Sequence, residues 1–368
     1  MKTKNLIPLL IMLSVFMWSC TSKTDLSSTS LKSSLDQSIS TLSTAMNVIS
    51  SSDGYQVLTT PSSTTTSSGA PSFAPGFDLI DSTYITISLS DIKGVYDYNK
   101  SHGQPRWEHS LTNFFTKTAS DSSKMIVRLP SEKVMKPWLL FHFATLDTTL
   151  TNDYVFSLST YKYSFNRFLG WNYDMASNIN IKNIDAGNLS IQSSSNKTAG
   201  YHFTSQFDFT NGYTANCSIL TGDTAVSTYA ISQSGKILYQ EQYTSVKSAT
   251  NRHFREKQYA LTIGNVKIVR TPGPNSLDSA KVYVGGVLQI NAKVEIVDSV
   301  ADSSEVSITN HNREIKITFD DGTSSTISQL LGTSIQTIRN LFADLRQSYF
   351  ATGIVDRIAW EVYWDGKE

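Results

Sequence analysis

The sequence predicts a mainly β body, an antiparallel meander that closes as a sandwich, a barrel or a long curved sheet, with an N-terminal helix and one C-terminal helix. Three observations predict it. From Phe73 onward apolar residues recur at every second position, in runs rich in β-branched and aromatic side chains. Turn dipeptides separate the runs, among them Asn211-Gly212, Ser234-Gly235 and Asp321-Gly322. Helical spacing is clearest in two stretches, 31–49 and 335–345.

The chain opens with MKTKNLIPLLIMLSVFMWSC and then turns polar. Lys2 and Lys4 precede an apolar run from Leu6 to Trp18, interrupted by Ser14. That run is about 13 residues, whereas a helix needs roughly 20 to cross the hydrocarbon core. A basic start, a short apolar stretch and small Ser19 before the break are the layout of a secretory signal, assigned to residues 1–19. Met17-Trp18-Ser19-Cys20 resembles the lipobox of bacterial lipoproteins, with its best match at Ser19 and Cys20. The resemblance implies that Cys20 becomes the first mature residue and carries acyl chains. At about 0.8 kcal/mol per buried methylene, more than one chain makes anchoring stable. Thr21 and Ser22 after the cysteine resemble lipoproteins sent on to the outer membrane, facing the periplasm or the cell surface.

Residues 20–72 read as a Ser/Thr-rich tether with a short helix. Leu31, Leu35, Leu42, Met46 and Ile49 make its apolar stripe, closed by Asp53-Gly54, but its many Ser and Thr residues call for a partner surface. The stretch 58–72, LTTPSSTTTSSGAPS, reads as a second leash reaching roughly 50 Å when fully extended, which would stand the body away from the bilayer. Residues 73–270 form an antiparallel β-rich domain, with strands expected at 84–89, 125–129, 138–143 and 154–158. Between 201 and 244, four alternating runs joined by tight turns make a meander, and Tyr213, Ala215, Cys217 and Ile219 share one face of the second. Thr271-Pro-Gly-Pro-Asn-Ser276 is the best internal boundary, because two prolines around a glycine cannot continue a ladder. Residues 271–368 then form a smaller hairpin and helix region, within the same domain or beside it. It holds hairpins at 282–290 and after 314–319, and a helix from an N-cap at Ser334 along Ile335, Ile338, Leu341, Phe342 and Leu345. A last strand is expected at 354–364, where Asp356 is the one polar residue on an apolar face and needs a partner or an exposed strand end.

Lys+Arg and Asp+Glu are equal at 31 each, so no global field attracts nucleic acid. With Cys20 lipidated, Cys217 has no partner within the chain and reads as a small buried hydrophobe. The histidines at 102, 109, 142, 202, 253 and 311 show no metal-ligand spacing, so neither a metal nor a cofactor is expected. Gly-rich nucleotide loops and the G-x-S-x-G elbow do not occur. The densest polar-aromatic stretch is 101–109, where Arg106, Trp107, Glu108 and His109 form a candidate binding loop, joined by Trp171 from an aromatic-rich segment. Asp320-Asp321 is explained by its hairpin turn. Asp81-Ser-Thr, Asp147-Thr-Thr, Asp223-Thr-Ala, Asp278-Ser-Ala and Asp298-Ser-Val resemble the three-residue O-glycosylation signal of Bacteroidetes.

These observations describe a lipoprotein held in the cell envelope by an N-terminal lipid anchor, with a non-catalytic binding or structural body and a glycan or another envelope protein as partner. Two alternatives stand beside it. A glycan-active enzyme requires two carboxyl groups roughly 5 to 10 Å apart in one cleft. A carrier of lipid or another apolar ligand requires a large unfilled apolar cavity.

Overall fold

The computed structural model describes residues 30–59, 84–99, 114–120, 123–131, 150–196, 198–248, 255–271, 279–298, 313–319, 321–345 and 349–366. Helices α1 (Leu31–Ser50) and α2 (Asp53–Thr59) come first, followed by β1 (Tyr84–Ser88), the single turn α3 (Leu89–Ile92), β2 (Gly94–Tyr98), β3 (Phe115–Ala119) and β4 (Met125–Leu129). The long meander is β5 (Tyr154–Asn166), β6 (Gly170–Ile181), β7 (Ile184–Asn196), β8 (Gly200–Phe209), β9 (Tyr213–Leu220), β10 (Thr224–Gln233), β11 (Lys236–Lys247), β12 (Arg255–Ile263), β13 (Val266–Thr271), β14 (Ser279–Val284) and β15 (Val287–Leu288). Strands β16 (Lys293–Asp298), β17 (Arg313–Thr318) and β18 (Ser324–Thr326) form a second sheet. Helices α4 (Ile327–Leu331), α5 (Ser334–Leu345) and α6 (Tyr349–Asp365) end the chain.

The main sheet runs in chain order from β15 to β5 and continues through β4, β2 and β3. Every pairing in it is antiparallel except β2 with β4. Strands β4 and β1 lie end to end along one edge of β5, the first opposite Tyr154–Leu158 and the second opposite Lys162–Asn166, with a bulge between Leu158 and Thr160. Alternation decides which face is buried. Phe203, Phe207 and Phe209 of β8 and Tyr213, Ala215 and Cys217 of β9 point into the core, as the 201–244 pattern requires. Positive φ at Gly212 (82°), and at Ser234 and Gly235 (49° and 80°), supplies the tight connections.

The helices cover that apolar face. Helix α1 packs on β11, β12 and β13 and on α4 and α5, burying Leu31, Leu35, Leu42, Ala45, Met46 and Ile49. Its Ser and Thr hydroxyls bond back to carbonyls four residues earlier, as at Ser38, Thr41 and Thr44. Burial of the stripe, not intrinsic propensity, therefore holds the helix. Lys32 reaches Asp321 of the β17–β18 turn at 2.8 Å, and Asn211 donates to the Val48 carbonyl at 3.3 Å. The low-complexity stretch thus connects two docked elements, α2 and β1. Strands β13 and β14 pair from Thr271–Ser279 to Val266–Val284, so the Pro-Gly-Pro break joins two neighbouring strands of one sheet.

The expected strand at 138–143 lies outside the described residues. The expected strand at 354–364 is instead part of helix α6. Ile354, Asp356, Ile358, Trp360, Val362 and Trp364 alternate, but Val355 and Ala359 add a second apolar set at a spacing of four. Ile354, Val355, Ile358 and Ala359 are all buried, and a helix satisfies that set where a strand would turn Val355 and Ala359 outward.

Candidate functional site

A cleft of about 310 Å³ opens between the two sheets. Its floor is the inner face of β11, β12 and β13, where Glu241 pairs with Leu261, and Tyr259 with Arg270. Elsewhere on this face the alternation places apolar residues such as Tyr239, Ile263 and Ile268, so Glu241 and Arg270 are polar exceptions. Glu314 and Ile315 of β17, Ile327 and Ser328 of α4, and Ile335 and Arg339 of α5 complete the lining.

The acids are already engaged by the protein. The Tyr239 hydroxyl donates to Glu241. Burial and the Glu241 charge push the Tyr239 and Tyr259 phenols well above their ordinary range, which keeps both as neutral donors. Burial alone would raise Glu314, but hydrogen bonds from Ser328 and Thr326 and the nearby Arg339 charge outweigh it and hold the carboxyl below its usual value. The backbone N–H of Ser328 donates to Glu314 at 2.7 Å. Thr326 and Gln329 close a capping box on the same turn, fixing α4 against β17. The cleft therefore presents two hydrogen-bonded acids, two guanidinium groups and two phenols on a partly apolar bed. Such a set orients a small polar ligand with an anionic end.

Of the residues singled out from the sequence, Cys20, Arg106, Trp107, Glu108 and His109 lie outside the described residues. Trp171 is the second residue of β6, half-buried against the core with its ring 6.1 Å from that of Tyr201. Among the described residues, no three His, Cys, Asp or Glu side chains are gathered to hold a metal ion. Comparison of the chain with protein-family models, curated proteins and solved structures finds no match.

A second polar cluster lies under α6. The Tyr173 hydroxyl donates to Asp356 Oδ1 at 3.0 Å, and Tyr161 donates to the same carboxylate. Enclosure raises Asp356 to about 7, although both phenols oppose the rise by favouring the ionised form. Tyr163, which also feels the Asp356 charge, packs its ring 5.7 Å from Trp360 one turn further along α6. The partner that the lone aspartate required is thus a pair of tyrosines from β5 and β6.

Proposed function

We propose that the chain is a membrane-anchored envelope lipoprotein whose body is a binding module, and that the cleft between the sheets seats a small polar ligand with an anionic end. The cleft carries this reading. Glu241 and Glu314 already accept hydrogen bonds from Tyr239 and Ser328, whereas Arg339 stands exposed on α5 at the same opening. An incoming carboxylate, as in an acidic sugar or a peptide terminus, suits a guanidinium better than it suits either acid. The apolar face of the main sheet is occupied by α1, α2, α5 and α6, which disfavours the carrier of an apolar ligand.

Calorimetric titration with uronic-acid oligosaccharides and short peptides is expected to give binding that Arg339→Ala weakens at least tenfold, roughly the worth of one charge-assisted contact. Absence of binding, or binding that ignores Arg339, would remove the cleft from consideration. Two carboxylates in one cleft also support the glycan-active alternative, in which Glu241→Gln or Glu314→Gln abolishes sugar release. The anchor has its own test. Only residues 21–30 separate Cys20 from docked α1, a reach of at most about 35 Å. Cys20→Ser is expected to move the protein out of the membrane fraction or stall its processing, and unchanged fractionation would exclude lipidation.

A further inference from the structure

The β5–β6 turn presents two large apolar side chains to solvent. Phe168 is 67 % and Leu169 72 % exposed. The Asn166 carboxamide oxygen accepts both of their backbone N–H groups, at 2.9 and 3.0 Å, so the tip is held in a fixed shape rather than left to collapse onto the sheet. Tyr84 pairs with Asn166 across the β1–β5 ladder, which puts a third exposed ring, at 63 %, beside the same tip. Arg167 is exposed between Asn166 and Phe168. Behind the tip, Trp171 of β6 and Tyr201 of β8 pack against each other across Ser195 of β7, which pairs with both. Leu220, at the same end of the sheet two hairpins along, is also exposed.

We propose that this tip, with Tyr84 beside it, dips into the interfacial layer of a phospholipid bilayer. Two apolar side chains at the apex, a tyrosine beside them and an arginine at their base match the graded polarity of that layer, where apolar groups reach the acyl boundary and the cation meets phosphates. The shape points the same way. A convex turn has no concave surround of its own, so a protein partner would need a matching pocket, whereas a bilayer takes a protrusion without one. The contact would fix which side of the body faces the membrane. It stands independently of Cys20 lipidation and of the cleft.

The test uses the full mature chain, residues 20–368, carrying Cys20→Ser so that no acyl chain contributes. The parent protein is expected to co-sediment with vesicles of phosphatidylethanolamine and phosphatidylglycerol. Phe168→Ser combined with Leu169→Ser should lower its partition coefficient about tenfold. Arg167→Gln should weaken partition into phosphatidylglycerol vesicles while leaving phosphatidylcholine vesicles unaffected. Asn166 keeps its role in each variant, so melting temperatures should match the parent and loss of binding cannot be ascribed to unfolding. A parent that stays in the supernatant overturns the proposal, as does a double variant that sediments equally. So does a double variant that keeps its vesicle partition but loses crosslinks to an envelope protein, since the tip would then be a protein contact.

Discussion

The melting temperature is expected to fall as pH rises from about 4 to about 7, and Asp356→Asn should remove that component of the fall. The Asp356 carboxyl sits at about 7 in the folded protein, against an ordinary value of 3.8, because α6 and the sheet enclose it. Below about pH 4 the group is protonated in both states and its contribution is fully present. Between the two values the folded protein holds a proton that the unfolded chain releases, so stability declines with rising pH. Above about pH 7 the full penalty of ionising an enclosed carboxylate is felt, at most about 4 kcal/mol at 1.36 kcal/mol per unit. The neighbouring titratable groups do not blur the effect. Burial raises Tyr161 and Tyr163 further above their ordinary range, so they stay protonated throughout the window. Thermal melts of both proteins across pH 4 to 8 give the answer as a difference curve. If the variant reproduces the parent's pH profile, the carboxylate is not the titrating group.

Gly54→Ala should destabilise the protein by about 1 to 3 kcal/mol, the opposite of what the exchange does in an open helix. In a helix interior, alanine is favoured over glycine by roughly 1 kcal/mol. Here an added Cβ would stand 2.4 Å from the Ala186 carbonyl oxygen, 2.9 Å from Phe207 and 3.0 Å from Phe209. A backbone oxygen of β7 cannot swing aside as the end of a flexible side chain can, so α2 must lift away from β7. Phe207 cannot relieve the contact either, since it is fully buried with its ring 4.9 Å from Phe209. Chemical denaturation should show a lower midpoint with an unchanged slope. A variant as stable as the parent would mean that α2 is not seated as described.

Much of this architecture is legible in the residues, for a local reason. Phe203 to Phe209 and Tyr213 to Cys217 keep strict alternation on either side of Asn211-Gly212, so pairing and parity follow from neighbours within twenty residues. Helix α5 was legible from its stripe, but α6 was not, because its even positions imitate one face of a strand and only Val355 and Ala359 disagree. The cleft was less legible still. Glu241 and Glu314 lie on different sheets, and nothing near Glu241 in the sequence tells whether it faces the core or solvent. Leu238, the extra residue of a bulge in β11 opposite Ile231–Ser232 of β10, shifts the parity of that strand just before Glu241. Asp356 was the one polar residue that sequence marked as needing a partner, yet Tyr173 lies 183 positions away.

The position of α1 bears on how the molecule is assembled. As the chain emerges from the ribosome, this helix appears early, but its apolar stripe has nothing to cover until β11 to β13 and α5 exist. Lys32 meets Asp321 across 289 positions of sequence. Ser-rich composition then has a use beyond tolerance, because a helix of weak propensity stays open and soluble while it waits. Local hairpin pairing lets the meander zip step by step, and α1 is expected to be sealed onto it near the end. The slow step of folding should therefore track the arrival of α1 rather than the formation of the sheet.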